Sequence, residues 1–228
     1  MCYTRYMKYI MQKFFILFII FILMLETCIS YAGETKDIDK NSTDEISKFE
    51  YVIESLIMNK EYSKACFMAY ELTRRYPQVP KGYFLLAKAR YKSGQEEGAI
   101  YAYADCIRVD PKYYQAYFNR GVIYDKQKKY IQAIRDYTYV IHHDDIAVPY
   151  AYLNRGVDKY YMGKYKEALR DYNKILKTFP KFDLMHKVYY HRGMAQYALG
   201  NYEDSVQDYE KAKELNPNYN YVYYDLLK

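Results

Sequence analysis

The sequence is poor in the residue types that build cross-links and reaction centres. It contains four cysteines and nine glycines, and beyond residue 32 the only cysteines are Cys66 and Cys106. Two thiols do not make a disulfide framework, so we expect both to be small buried side chains. A glycine-rich phosphate loop, a serine nucleophile elbow and a Cys–His pair at a catalytic spacing are all missing. The sequence therefore predicts a protein that is not an enzyme.

Histidine is equally scarce, with four in the chain. His142 and His143 precede Asp144 and Asp145, but adjacent residues of a helix project about 100° apart. No further Cys or His is placed to complete a set of metal ligands, and two histidines at the carboxyl end of a helix are explained by its dipole. We predict neither a metal nor a cofactor.

An excess of charge of one sign is also lacking. The chain has 34 basic and 28 acidic side chains, a net charge of +6, and the two signs are mixed along it. A nucleic-acid-binding protein concentrates basic residues on one face. We therefore expect no nucleic acid partner.

Long apolar runs are missing too, with one exception near the amino terminus. Residues 14–25 (FFILFIIFILML) are uncharged, follow two lysines, and precede the small residues Ser30 and Ala32. A bilayer span needs about 20 apolar residues, whereas this pattern is typical of a secretory signal peptide. It predicts a signal peptide over residues 1–32 and an exported protein, periplasmic if the cell is bacterial or otherwise secreted.

The alternative is a membrane-anchored lipoprotein. Cys28 follows Leu25, Glu26 and Thr27, a loose match to the box that precedes a lipidated cysteine. Lipidation at Cys28 would hold the protein on a membrane, where it would act in the assembly of an envelope or secretion complex.

What the chain does have is an internal repeat. Placing Pro77, Pro111, Pro180 and Pro217 at one turn aligns five units, in which small residues form one column: Ala65, Ala99, Ala133, Ala168 and Ser205. Four residues later comes a second column: Ala69, Tyr103, Tyr137, Tyr172 and Tyr209. Three further on comes a third: Leu72, Cys106, Val140, Ile175 and Ala212. Offsets of three and four place these residues on one stripe of a helix, and a period of about 34 residues predicts stacked helical hairpins.

On these columns the chain resembles the tetratricopeptide repeat family over residues 46–228. The resemblance implies an all-α fold, a right-handed α-solenoid of five hairpins with units at about 46–79, 80–113, 114–148, 149–185 and 186–219. Residues 219–228 would form a short capping helix. Residues 33–44 are polar and read as a linker, so the first helix is expected to begin near Asp44.

Glycine returns at one place in the first helix of three units, as Gly121, Gly156 and Gly193. Glycine inside a helix costs about 1 kcal/mol relative to alanine. Its return predicts a close contact with the backbone at this place.

A covariation within the chain predicts structural ion pairs. In three units an arginine is followed sixteen residues later by an aspartate: Arg120 with Asp136, Arg155 with Asp171, and Arg192 with Asp208. The first two units have apolar pairs at these places, Val52 with Met68 and Leu86 with Ala102. Because a half-buried arginine needs a fixed carboxylate, we expect these pairs to form within a unit or across to the next.

The resemblance also implies a concave groove, lined by the first helices, that holds an extended peptide or a partner helix. Carried over by position, its residues are Lys88, Tyr91, Phe118, Val122, Tyr160, Tyr161, Tyr190, Met194 and Tyr197. Tyrosine offers apolar area with a polar tip and loses little entropy on binding. Where the family usually has a packed tyrosine, this chain has Arg90, Lys159 and Gln196, each followed by a tyrosine. Those tyrosines, Tyr91, Tyr160 and Tyr197, therefore either face the groove or pack inside.

One subgroup of the family grips the carboxyl terminus of chaperones with lysine and asparagine side chains. Asn119 and Asn154 resemble part of that clamp, but Val122 and Val157 stand where its other members are needed. We expect both asparagines to be structural. The function that follows is an exported, non-catalytic scaffold for a protein or peptide partner, and a third interpretation is an enzyme that uses the groove as its cleft.

Overall fold

The computed structural model describes residues 40–143 and 147–218. These residues form ten α-helices joined by turns: α1 Lys40–Met58, α2 Tyr62–Arg75, α3 Pro80–Lys92, α4 Glu96–Val109, α5 Tyr114–Lys126, α6 Tyr130–His143, α7 Val148–Tyr161, α8 Tyr165–Thr178, α9 Met185–Ala198 and α10 Tyr202–Leu215. Within the described ranges no strand occurs, which confirms the all-α fold.

Two of the expected segments, the signal peptide (1–32) and the capping helix (219–228), lie outside the described residues. The first helix begins earlier than expected, at Lys40 rather than near Asp44, so the end of the expected linker is helical. Residues 40–44 include neither proline nor glycine. Adding residues to an existing helix gains one hydrogen bond for each residue fixed, so a polar segment without a helix breaker can extend it.

Consecutive helices pack as hairpins. The closest packing joins α3 to α4, α5 to α6, α7 to α8 and α9 to α10. Each of these hairpins also packs against its neighbour, through α4 with α5, α6 with α7 and α8 with α9. Because each hairpin covers apolar surface that the next would otherwise expose, the stack is the solenoid that the repeat predicts.

The three aligned columns form the core. The small column from Ala65 to Ser205 is fully buried, as is the third column from Leu72 to Ala212. Tyr137, Tyr172 and Tyr209 of the second column are the largest fully buried side chains. The spacing of the repeat therefore predicts which face of each second helix is inside.

Each of the three glycines lies against a tyrosine ring. A Cβ atom built on Gly121 would lie 2.9 Å from Cε1 of Tyr137, and one built on Gly156 would lie 2.5 Å from Cε1 of Tyr172. These separations are shorter than contacts between carbon atoms. The missing side chain thus leaves room for the tyrosine of the second helix, which brings the two helices close together.

Candidate partner-binding surface

Three ion pairs hold the first helix of a hairpin to the second. Arg120 donates two hydrogen bonds to Asp136, from Nε at 2.8 Å and from Nη2 at 2.7 Å. The same two-bonded arrangement joins α7 to α8 and α9 to α10, through Arg155 with Asp171 and Arg192 with Asp208. Each pair joins the two helices of its own hairpin, which is one of the two arrangements that the sequence left open.

Two of these arginines also reach the preceding hairpin. Nη1 of Arg155 donates to Oγ1 of Thr138 at 3.0 Å, and Nη1 of Arg192 donates to Oδ1 of Asn173 at 2.9 Å. Each of these guanidinium groups therefore joins three helices. Its charge is engaged inside the stack rather than offered to a ligand.

Burial dominates the electrostatics of the pairs. Asp136 and Asp208 are buried, and this burial raises the pKa of both carboxyl groups although their arginine partners lower it. The Coulomb attraction of a buried pair is largely offset by the cost of removing its charges from water. In the second hairpin, Leu86 and Ala102 fill the same place as an apolar pair and are also buried.

The surface that the sequence assigns to the groove is only partly accessible. Tyr161 is 57% exposed and Tyr197 is 46% exposed. The sequence left open whether Tyr91, Tyr160 and Tyr197 face the groove or pack inside. Tyr91 and Tyr160 are half-buried, and only Tyr197 is well exposed. The other half-buried positions are Lys88, Phe118 and Val122.

Tyr190 and Met194 are buried, contrary to the prediction that they line the groove. They are only 6% and 4% exposed, and they pack with Tyr209 and Ala212 of α10. The prediction that these two side chains face a groove is wrong, because the second helix of their own hairpin takes up their apolar area.

The aromatic side chains at the end of α7 are held by other rings. Tyr161 stacks on Tyr130 of α6, with centroids 5.7 Å apart and planes 10° apart. Tyr160 lies beside Tyr165 of α8 at 5.3 Å between centroids. Side chains that are already ordered lose less entropy when they bind a partner.

Asn119 and Asn154 lie between hairpins. Nδ2 of Asn154 donates to the hydroxyl oxygen of Tyr137 at 3.4 Å, and Asn119 forms a hydrogen bond with Tyr103 one hairpin earlier. Both asparagines thus bind the buried tyrosine of the preceding hairpin, which is a structural role.

Sequence reasoning missed one candidate, the carboxyl group of Asp158 in α7, which is fully buried. It stands two residues after Gly156, where three other hairpins have the buried apolar residues Ala89, Ile123 and Ala195 and the first hairpin has Ser55. Burial, and then the hydrogen bond and charge of Asp125 in α5, raise the pKa of Asp158 to about 9. The sequence signal that could have identified it is a carboxyl group in a column that is otherwise uncharged.

The described residues offer little to a reaction. Across residues 40–143 and 147–218, no three side chains of His, Cys, Asp or Glu come together as metal ligands. Burial raises the pKa of Cys106 to about 12, so its thiol stays protonated and unreactive near neutral pH. None of the ten helices above combines the length and the apolar character needed to cross a membrane.

Repeated hairpins with engaged charges and a row of ordered aromatic residues define a protein-interaction scaffold. Family models described as tetratricopeptide repeat match residues 82–113, 102–135, 149–182 and 186–219. The chain belongs to the tetratricopeptide repeat family.

Solved structures of similar fold include two of MamA. One is 19% identical, covers 75% of this chain and 92% of that chain, and has a TM-score of 0.67. The other, MamA from Desulfovibrio magneticus RS-1, is 16% identical, covers 76% and 96%, and has a TM-score of 0.68. BtubC from P. vanneervenii is 15% identical, covers 79% and 83%, and has a TM-score of 0.66. At these identities the likeness shows the fold alone, and a search of curated proteins finds no match.

Proposed function

We propose that this protein is an exported, non-catalytic scaffold that holds a protein or peptide partner on its concave face. The supporting observation is the partly accessible aromatic and apolar surface of the first helices, which is exposed at Tyr161 and half-buried at Phe118, Val122 and Tyr160. Aromatic side chains contribute much of the energy of peptide binding for little loss of entropy. Because the ion pairs fix the helices that carry these side chains, the surface is arranged before a partner arrives.

Site-specific photo-crosslinking in the cells that make the protein tests this face. A photoreactive phenylalanine analogue replaces Tyr161, which is 57% exposed on a first helix. The matched control replaces Tyr101, which is 68% exposed on the second helix α4. We expect a discrete crosslinked partner from position 161 and none from position 101. Crosslinking from position 101 alone, or from neither position, contradicts the proposal.

The export part of the proposal is tested at the mature amino terminus. Mass spectrometry of the protein from its own cells should find a chain that begins at Gly33. An acylated Cys28 would instead identify the membrane-anchored lipoprotein, and an intact Met1 would contradict export through this leader. Metal analysis and a panel of hydrolase substrates test the proposal that the protein is not an enzyme. Turnover of any of these substrates would contradict it.

A further inference from the structure

Asp158 and Asp125 bring two carboxyl groups together where the first helices α5 and α7 meet. Asp158 is 0% exposed and neither of its oxygen atoms has a hydrogen-bond donor, whereas Asp125 is half-exposed. Two carboxylates cannot bond to each other, because neither carries a proton to donate. With one proton between them, Asp158 donates to Asp125, and the pair carries a single negative charge.

Buried phenol groups lie around this pair. The hydroxyl of Tyr172 in α8 is buried and has no hydrogen-bond partner. The charge of Asp158 acts on both Tyr172 and Tyr137 of α6, and raises the pKa of each phenol in addition to the effect of burial. Tyr160 and Tyr161 act on Tyr172 as well, so the half-buried ring of Tyr160 and the exposed ring of Tyr161 lie near the pair.

The basic residues closest in the chain to the acid pair are bonded to other carboxylates. Lys159, the residue after Asp158, donates to Asp171 at 2.8 Å, and Arg155 is bonded to that same aspartate. Lys126, the residue after Asp125, donates to Glu96 at 2.6 Å. These three basic groups are therefore engaged by Asp171 and Glu96 rather than by the acid pair.

Packing alone does not call for a carboxyl group at this place. Alanine or isoleucine fills the corresponding site in three of the other hairpins, and the uncharged Ser55 fills it in the first. Burying a carboxyl group that lacks a partner is costly. Asp125, the less buried member of the pair, comes three residues after Val122 on α5, and residues three apart share one face of a helix. A negatively charged oxygen beside aromatic rings is the environment that binds an alkylammonium group.

We propose that Asp125 and Asp158 form the binding site for a basic group of the partner, a lysine side chain or an amino terminus, with Tyr160 and Tyr161 as its aromatic wall. This inference rests on the proposed function and specifies the chemistry of the partner. The ammonium group donates to Asp125 from the solvent side, in place of the proton that Asp158 shares with it, and Asp158 releases that proton to water.

Proton release makes the binding depend on pH. Because bound ammonium favours the ionised form of Asp158, affinity should rise as the pH is raised from 6 towards 9. The groups facing Asp158 from the packed helices are Asp125, Tyr137 and Tyr172, and both phenols stay protonated over this range because burial raises their pKa. His191 of α9 stays neutral, because its burial lowers its pKa to about 4.

The test uses N-acetyl-lysine methylamide as the probe and N-acetyl-norleucine methylamide as its uncharged counterpart. Binding to the mature chain is followed by amide chemical shifts at pH 6, 7 and 8. We expect the lysine probe to shift the signals of residues 125, 158 and 161 and to bind at least about tenfold more tightly than the norleucine probe. Asp125→Asn should remove this preference, and Asp158→Asn should remove its pH dependence.

Glu210→Gln, which changes an exposed carboxylate of α10, is the control variant and should leave binding unchanged. Equal binding of the two probes, or an unchanged preference in Asp125→Asn with a native helical spectrum, overturns the proposal. So does Ca²⁺ shifting the same signals when the lysine probe does not, since that result would identify a metal site. Partner crosslinking from position 161 that is undiminished in Asp125→Asn would overturn the acid pair while leaving the proposed function intact.

Discussion

At the scale of the residue, buried charged side chains occur in two different environments in this protein. Arg120 and Asp136 each satisfy the other through two short hydrogen bonds, whereas Asp158 is buried beside a group of the same charge type. In the first hairpin, Val52 and Met68 take the places of the ion pair and line a shallow apolar surface cavity. The same position therefore accepts a complete charged pair or a complete apolar pair.

Replacing one member of a buried ion pair should destabilise the protein far more than replacing both members. Arg120→Val alone or Asp136→Met alone leaves one buried charge without its partner, and each should lower the free energy of unfolding by about 3–5 kcal/mol. The double variant reproduces the apolar pair of the first hairpin and should lie close to the original protein or above it in stability. Urea unfolding of all four proteins measures this, and additive losses would show that the two side chains are independent.

Asp158 should make the protein less stable as the pH rises. Its pKa is about 9 in the folded chain and about 4 when unfolded, so the folded state holds the extra proton between these values. The free energy of unfolding should therefore fall from pH 4 to pH 9, by up to about 1.4 kcal/mol per unit. Asp158→Asn removes this contribution, and the difference between the two unfolding curves isolates it from other groups. Parallel curves for the two proteins would contradict the assignment.

At the scale of the element, close approach between paired helices depends on one absent side chain. Gly156→Ala would place a methyl group 2.5 Å from Cε1 of the buried Tyr172, and the crowding should cost about 1–3 kcal/mol beyond any gain in helix propensity. Gly98→Ala is the control, because its methyl group would meet only the flexible side chain of Arg90 at 3.2 Å. We expect thermal unfolding to show a loss for the first variant and a gain of up to about 1 kcal/mol for the second. Equal effects would exclude tight packing at Gly156.

The turns inside the hairpins contain a residue whose backbone has the left-handed conformation, with positive φ. Gly163 has φ 73° and Gly200 has φ 83°, while Lys128 takes the same place with φ 58°. A residue with a Cβ pays about 1–2 kcal/mol for this conformation, partly offset by the entropy that glycine loses. Lys128→Gly should therefore raise the free energy of unfolding by about 0.5–1 kcal/mol, and Gly163→Ala should lower it by a similar amount. Chemical denaturation of both variants checks the prediction, and a loss in Lys128→Gly would contradict it.

At the scale of the whole molecule, neighbouring hairpins complete each other. Phe182, from the turn before α9, and Val188, from α9 itself, are buried in a cluster with Tyr172 and Ile175 of α8. Burying one such apolar side chain contributes about 1.5–3 kcal/mol, more than a hairpin gains from local propensity. The solenoid is therefore expected to unfold as a coupled array.

Truncation tests this coupling. A chain that ends after Lys181 loses α9 and α10, and its remaining hairpins should unfold at a clearly lower urea concentration because α8 loses its cover. A chain that ends after Asn218 keeps all ten described helices and serves as the control. An unchanged midpoint in the shorter chain would mean that the hairpins are stable independently.

The helices and the core could be predicted from the sequence because helical spacing records directly which residues share a face. Ala133, Tyr137 and Val140 lie inside as their offsets predict, and the covariation of Arg155 with Asp171 identified the two partners. The choice of bonding within a hairpin was left to the structure, because offset alone does not say how far a guanidinium group reaches.

Contacts between successive first helices could not be predicted, since they depend on the angles at which hairpins stack. For this reason Asp158 came to lie beside Asp125, 33 positions earlier in the chain. Tyr190 and Met194 lie inside for a different reason, because α10 of their own hairpin covers them. The sequence by itself determined the repeat, the hairpins and the buried stripe, because each depends on local periodicity. Only the tertiary structure decided which side chains remain accessible and where two carboxyl groups meet, because both follow from how one hairpin is laid against the next.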